Sequence, residues 1–442
     1  MSSNHPIHSY TFTTSVGKYL GFNENGVFKI KSIRYAKSER FKKPEILEHA
    51  ETYPLEKTPV CPQKISPLLE ILIGKTDVDQ FQAEESIQFL TITRPENLAE
   101  THLPVVVWIH GGSYELGCGD LPTSDPSVWV KEQNIIVVSV SYRLGLFGFL
   151  GGNDERPANL GLFDIITALK WIKKYIHDFG GNPENITLFG QSSGGDAITH
   201  LLLSDEIENL FQRVIIQSAP LGFRLKREKM YSELFKKTDF LKNEIDVLKM
   251  VDSYQSFLPS SFKYGLKAAM PFCLKYGHDP LPAENETLAK WKENASKIDV
   301  LMGFNQDETA FYVKTAQEGF YTYLHEKILD KIVKVITDSI YRNPAKIFAK
   351  NYAEGGGKIH LYKIKSTLDN HFIGASHCFD LPLIFANEKA WRNAEILKNV
   401  PWNYIFENGK NIRATWAEFA RTGQILPPEK RSEIMEIKKI TK

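Results

Sequence analysis

The chain reads as short runs of β-branched residues separated by longer stretches with helical spacing. The runs "LPVVVWIH" (103–110), "NIIVVSVSY" (134–142), "NITLFG" (185–190), "RVIIQS" (213–218), "IDVLMG" (298–303) and "KIHLYKI" (358–364) are nearly all apolar rather than alternating. That pattern predicts strands buried on both faces. Between them, residues 160–179 place Leu162, Ile165, Ile166, Leu169, Ile172 and Ile176 at three- and four-residue steps, which predicts an amphipathic helix. Strand and helix in alternation predict an α/β fold with a mostly parallel central sheet flanked by helices. No linker, repeat or low-complexity stretch divides the chain, so residues 1–442 read as one domain. Within it, residues 224–295 are more charged and mostly helical in pattern, and read as an insertion capping the sheet.

Composition narrows the functional classes. Lys plus Arg number 54 against 53 for Asp plus Glu, so no net field recruits nucleic acid or an anionic membrane surface. The most apolar stretch, residues 134–152, is interrupted by Arg143 and glycines and is too short for a membrane span of about 20 apolar residues. The N-terminus lacks a basic start followed by an apolar core, so a cytoplasmic location is expected. Cys61, Cys118, Cys273 and Cys378 lie far apart without zinc or redox spacing and are expected to be reduced thiols.

Chemistry enters at "LFGQSSGGDAITHLLL" (188–203), where two serines stand side by side. Gly190-Gln191-Ser192-Ser193-Gly194 fits G-x-S-x-G only when centred on Ser192, because Gln191 occupies the glycine place of the other frame. A buried strand precedes the motif and a helix follows, the context of a nucleophile elbow. Gly190 and Gly194 would remove side chains that collide across the sharp turn. The pentapeptide alone is a weak signal. A second motif supports it: His110-Gly111-Gly112-Ser113, at the end of another predicted strand, matches an HGGG-type loop whose N–H groups bind an oxyanion. The N–H of Ser193 would be a further donor, its hydroxyl being incidental.

These segments, together with "CPQ", "GFNQDETAFY", "GASHCFDLPLIF" and "WAEFARTGQ", occur in the order found in the type-B carboxylesterases. The chain resembles this group of α/β-hydrolase-fold serine hydrolases, which includes para-nitrobenzyl esterases, liver carboxylesterases and cholinesterases. The resemblance runs nearly full length. It implies hydrolysis of carboxylic esters, of small to medium acyl or aryl type, through an acyl-enzyme, with no cofactor or metal and a small-molecule ester as partner.

The resemblance also implies roles. Glu308, in Gly303-Phe304-Asn305-Gln306-Asp307-Glu308, falls at the family's acid, with Thr309 in place of the usual Gly; from the residues alone, Asp307 competes. Of the four histidines beyond it, His360 lies in a predicted strand and His325 in a polar helical run. His377, in a loop opened by Gly374 and closed by Pro382, matches the family's base, with Asp380 in the place of a Glu and His371 as the minor alternative. Ser218 falls where the family places a Ser that hydrogen-bonds the acid, although a Ser capping a strand end fits as well. The family's extracellular members join the "CPQ" cysteine to a second cysteine, where this chain reads "EESIQFL", so Cys61 has no partner. Residues 62–86 contain no Trp, which argues against choline recognition by cation–π contact. The Pro-rich insertion after Tyr35-Ala36 is missing as well. Two other readings use the same sequence: a non-catalytic binding or scaffold protein on this fold, and an amidase or acyltransferase on the same three side chains.

Overall fold

The computed structural model describes residues 9–442 except 25, 50–56, 65–66, 75–79, 316–325 and 369–370. Eleven strands form the main sheet: β1 (Ser9–Thr14), β2 (Gly17–Glu24), β3 (Val27–Arg34), β4 (Phe89–Pro95), β5 (Leu103–Ile109), β6 (Ile136–Val140), β7 (Gly181–Gln191), β8 (Arg213–Gln217), β9 (Asp299–Asn305), β10 (Ile359–Ile364) and β11 (Met435–Ile440). Their spatial order is β1-β2-β3-β4-β6-β5-β7-β8-β9-β10-β11. The six from β6 through β10 are mutually parallel, and they are the six runs that the apolar pattern predicts. The antiparallel strands β1 to β4 and β11 complete the two edges. This is the α/β-hydrolase fold, a mostly parallel sheet between helical layers.

Alternation explains why the central strands are apolar throughout. Val105, Val107, Ile109, Val138, Leu188, Val214 and Val300 face one core, together with Leu162, Ile165, Leu169 and Ile172 of helix α1 (Leu160–Tyr175). Their chain neighbours Val106, Trp108, Val137, Phe189, Ile215 and Leu301 face the other core. Successive strand residues point to opposite faces, and here both faces are covered, so no position can be polar without a partner. Arg143, which interrupts the apolar stretch in sequence, is buried as a bidentate pair with Asp164 of α1 at 2.7 and 2.8 Å.

After β7 comes α2 (Ser193–Leu201). Between β8 and β9 the chain forms α3 (Glu228–Lys237), α4 (Val247–Phe257) and α5 (Thr287–Asn294), joined by shorter turns. The long C-terminal helix α6 (Trp402–Thr422) covers the second core with Ile405, Ile412, Trp416 and Phe419. Because the central strands run in parallel, their C-terminal ends share one edge of the sheet. The loops after β5, β7, β9 and β10 therefore open on the same side, where open α/β sheets bind their ligands.

Candidate active site

The chain leaves β7 at Gln191 and enters α2 at Ser193, turning at Ser192 with φ 56° and ψ −126°. A non-glycine residue in that region costs about 1–3 kcal/mol and persists only where its surroundings fix it. Here they do: the Ser192 N–H donates to the Gln217 carbonyl at 2.9 Å, and its own carbonyl accepts the Asp196 N–H at 2.9 Å. The glycines have the reason expected of them. A Cβ on Gly190 would stand 2.7 Å from the Gly194 carbonyl group, and one on Gly194 would stand 2.1 Å from the Ile109 oxygen.

Three strands then bring three side chains together. His377, in the loop after β10, places Nε2 2.9 Å from Ser192 Oγ, while its Nδ1 lies 2.7 Å from Glu308 Oε2. A carboxylate only accepts hydrogen bonds, so the geometry assigns the ring proton to Nδ1 and leaves Nε2 free to accept the serine proton. Glu308 follows β9 and is fully buried. Its Oε1 accepts the Asn305 N–H at 2.7 Å, and its carbonyl accepts the His377 N–H at 2.9 Å, so residue 308 holds His377 by both side chain and backbone.

The alternative residues lie elsewhere. Asp307 Oδ2 accepts the Ala375 N–H at 3.3 Å and has no contact with His377; burial raises its carboxyl above the ordinary range. His371 is tied to Ser366 Oγ at 3.3 Å and the Ile396 carbonyl at 3.1 Å. His360 sits on β10 opposite Lys439. His325 lies outside the described residues.

Ser218 departs from its expected role. Its hydroxyl donates to Asp380 Oδ2 at 3.4 Å rather than to Glu308, both of whose oxygens are already engaged. Its backbone, at φ 50°, is pinned by an N–H bond to the Gly303 carbonyl at 2.8 Å. Asp380 is fully buried, and its carboxyl is pushed up to about 7, first by burial and then by the Glu308 charge, with His377 opposing.

The loop after β5 lies beside the elbow. Gly112, Ser113 and Tyr114 all take positive φ, at 115°, 58° and 61°. The turn is tight because the N–H groups of Glu115 and Leu116 both donate to the Gly112 carbonyl at 2.9 Å; a Cβ on Gly112 would meet the Leu116 oxygen at 2.0 Å. Gly112 and Ser113 border the cavity together with Ser192 and His377. Gly111 lies behind them, its Cβ position 2.8 Å from the Gln191 carbonyl oxygen and 3.1 Å from Ser192 Cβ. His110 is buried, with Nδ1 2.8 Å from the Gly111 oxygen, Tyr142 stacked on it at 4.4 Å, and a pKa pushed down to about 4 by burial. It is therefore a neutral prop under the loop.

A polar network that no sequence motif announces lies beneath this loop. The Ser193 hydroxyl, expected to be incidental, accepts the Tyr114 N–H at 3.2 Å. The Tyr114 hydroxyl donates to Asp196 Oδ2 at 2.7 Å, and His200 Nδ1 lies 2.8 Å from the Asp196 carbonyl while its Nε2 meets the Tyr276 hydroxyl at 2.8 Å. Tyr114, Asp196 and His200 are all buried. The available signal was Asp196 and His200, polar residues one helical turn apart on a helix whose faces are both buried. Tyr114→Phe leaves a buried carboxylate short of a partner, a loss of about 1–3 kcal/mol. We expect a lower melting temperature and a kcat reduced roughly tenfold with little change in KM, since the loop is positioned rather than removed; unchanged kcat in a destabilised variant would assign the network to folding alone.

The cavity in front of Ser192 measures about 820 Å³. Its walls are mostly apolar, with Leu68, Leu72, Phe223, Met270, Ile340 and Tyr341 among them. The segment after α4 contributes Leu258, Phe262 and Met270. No helix of the described residues is long and apolar enough to cross a membrane.

Known proteins share this sequence pattern and fold. The sequence profile described as the "Carboxylesterase family" matches residues 8–323. A "Probable N-octanoylanthranilate hydrolase" of Rhodococcus erythropolis is 32% identical, over 95% of this chain and 94% of that protein. The para-nitrobenzyl esterase of Bacillus subtilis is 30% identical, over 93% of this chain and 89% of the relative. A solved para-nitrobenzyl esterase structure superposes with a TM-score of 0.77 at 25% identity, covering 97% of both chains. On profile, sequence and fold together, the chain belongs to the carboxylesterase family and is a serine hydrolase of carboxylic esters.

Proposed function

We propose that Ser192, His377 and Glu308 are the catalytic triad of this esterase, and that the N–H groups of Gly112, Ser113 and Ser193 form its oxyanion hole. The observation that carries this reading is the continuous hydrogen-bonded line from Ser192 Oγ through both His377 nitrogens to Glu308, at 2.9 and 2.7 Å, opening on a cavity. His377 Nε2 takes the hydroxyl proton as Ser192 Oγ attacks the ester carbonyl, and Glu308 stabilises the imidazolium that results. The oxygen that becomes negative is met by fixed N–H donors, each worth about 2.7–4 kcal/mol by deletion in comparable sites. His377 then protonates the departing alcohol, the acyl group stays on Ser192 Oγ, and water repeats the two proton transfers to free the acid. Gly111 serves this hole by bringing the loop against Ser192 rather than by lending its own N–H. Ser218 acts on Asp380, behind the acid.

In this proposal residues 224–295 are a helical cap within a single domain, since they supply one wall of the cavity. The apolar walls favour esters with small to medium acyl or aryl groups. Four buried free thiols favour a reducing, cytoplasmic setting. One relative is named for acting on an N-acylated compound, which makes amides the comparison to include. The test is a series of p-nitrophenyl esters of increasing acyl length beside the matching anilides. We expect ester turnover to peak at intermediate length, with anilides slower by about a hundredfold or more. Turnover of anilides without turnover of esters would overturn the reading.

A further inference from the structure

Glu115 stands in the cavity wall two residues beyond Ser113, on the loop that carries the proposed oxyanion donors. Its backbone N–H is fixed on the Gly112 carbonyl at 2.9 Å, so the position of the side chain is tied to that of the reacting centre. The carboxyl group is half-buried and takes a hydrogen bond from the amide of Gln255 on α4. Among the described residues no Lys or Arg pairs with it. Lys64, a charged side chain in the same cavity wall, is held by Asp252 Oδ1 at 3.0 Å. Tyr254, also nearby on α4, is buried with its hydroxyl proton firmly held.

A carboxyl group in an apolar wall without a counter-ion is costly for the enzyme alone and favourable only when something completes it. Glu115 lines the same cavity that Ser192 and His377 border. We propose that Glu115 is a specificity-determining residue that selects esters bearing a protonated amine or another strong N–H donor on the acyl tail. Those with a neutral tail would be hydrolysed more slowly, and those with an anionic tail least of all. The proposal rests on the assignment of Ser192 as nucleophile, which fixes where the tail begins. Burial pushes the Glu115 carboxyl up to about 7, so its charge, and with it the preference, should vary across neutral pH.

The test compares p-nitrophenyl ε-aminocaproate with p-nitrophenyl heptanoate, its near-isostere, in the wild type and in Glu115→Gln. The alkylammonium stays charged far above neutrality. At about pH 8 the wild type should favour the ammonium ester by roughly tenfold or more in kcat/KM. That ratio should fall roughly tenfold or more near pH 6, where the carboxyl is protonated, and should stay at the low value at both pH values in the variant, where an ammonium meets an apolar wall without a counter-charge. Because both esters use the same triad, titration of the base cancels in the ratio. A ratio unaffected by the substitution, or a wild type with no preference, would overturn the proposal. Calorimetric binding of hexylamine against hexanol reads the same preference without turnover: selective hexylamine binding lost in Glu115→Gln supports it, and equal binding contradicts it. Should the triad assignment fail, both esters would go unhydrolysed while this binding difference remained.

Discussion

Ser192→Ala should lower kcat by about 10⁶-fold, the scale on which a triad nucleophile acts, while the protein stays folded. Folding should survive because Ser192 is held by its backbone bonds to Gln217 and Asp196, neither of which needs the hydroxyl. Alanine at φ 56° retains the strain that serine already bears there. Substrate affinity should change little, since the cavity walls are untouched. The check is steady-state ester hydrolysis alongside a thermal melt. Ser193→Ala supplies the contrast: it removes only the bond that steadies Tyr114 and should cost far less. Comparable losses in the two variants would remove the distinction between the serines.

Glu308→Gln should lower kcat by about 10⁴-fold, for a reason that lies in the hydrogen-bond pattern around it. In the native protein Oε1 accepts from the Asn305 N–H at 2.7 Å and Oε2 accepts from His377 Nδ1 at 2.7 Å. A glutamine has one acceptor for these two donors. If its oxygen stays on the Asn305 N–H, its NH₂ faces Nδ1 and drives the ring proton to Nε2, the atom that must accept from Ser192. The base is then in the wrong tautomer, and the imidazolium loses its counter-charge. Asp307→Asn tests the register: Asp307 bonds only the Ala375 N–H and the variant should keep kcat within a few-fold. If Asp307→Asn failed and Glu308→Gln did not, the acid would have to be moved by one residue.

How legible this was in the sequence depends on what each feature rests on. The six parallel strands were plain because burial on both faces leaves a continuous apolar run. The strands β1 to β4 and β11 were not: in β2 only Tyr19 and Gly21 are buried while the apolar Leu20 and Phe22 are exposed, and the wholly buried β4 carries Thr91, Thr93 and Arg94 in its run, so neither shows a continuous apolar pattern. Ser192 was legible because an elbow needs glycines at fixed offsets, and those offsets are local. Glu308 and His377 were reached through the family resemblance, for nothing within either segment shows that loops after β9 and β10 end within hydrogen-bond distance of each other. Ser218 stood open between bonding the acid and capping a strand end, and its hydroxyl bonds Asp380, a partner 162 residues away that no local pattern marks. The network of Tyr114, Asp196 and His200, and the unpaired acid at Glu115, depend on side-chain meetings across distant segments. The scaffold alternative has no support from a site in which Ser192, His377 and Glu308 are in contact.

Whether Ser192 alone among the serines is activated is tested most directly by a fluorophosphonate, since such reagents bond covalently to an activated serine and leave others untouched. Labelled protein would be digested and its peptides sequenced by mass spectrometry. One adduct per chain, on Ser192, and none in Ser192→Ala, is the expected result. An adduct on Ser193 or on any serine outside the elbow, or an unlabelled wild-type protein, would contradict it.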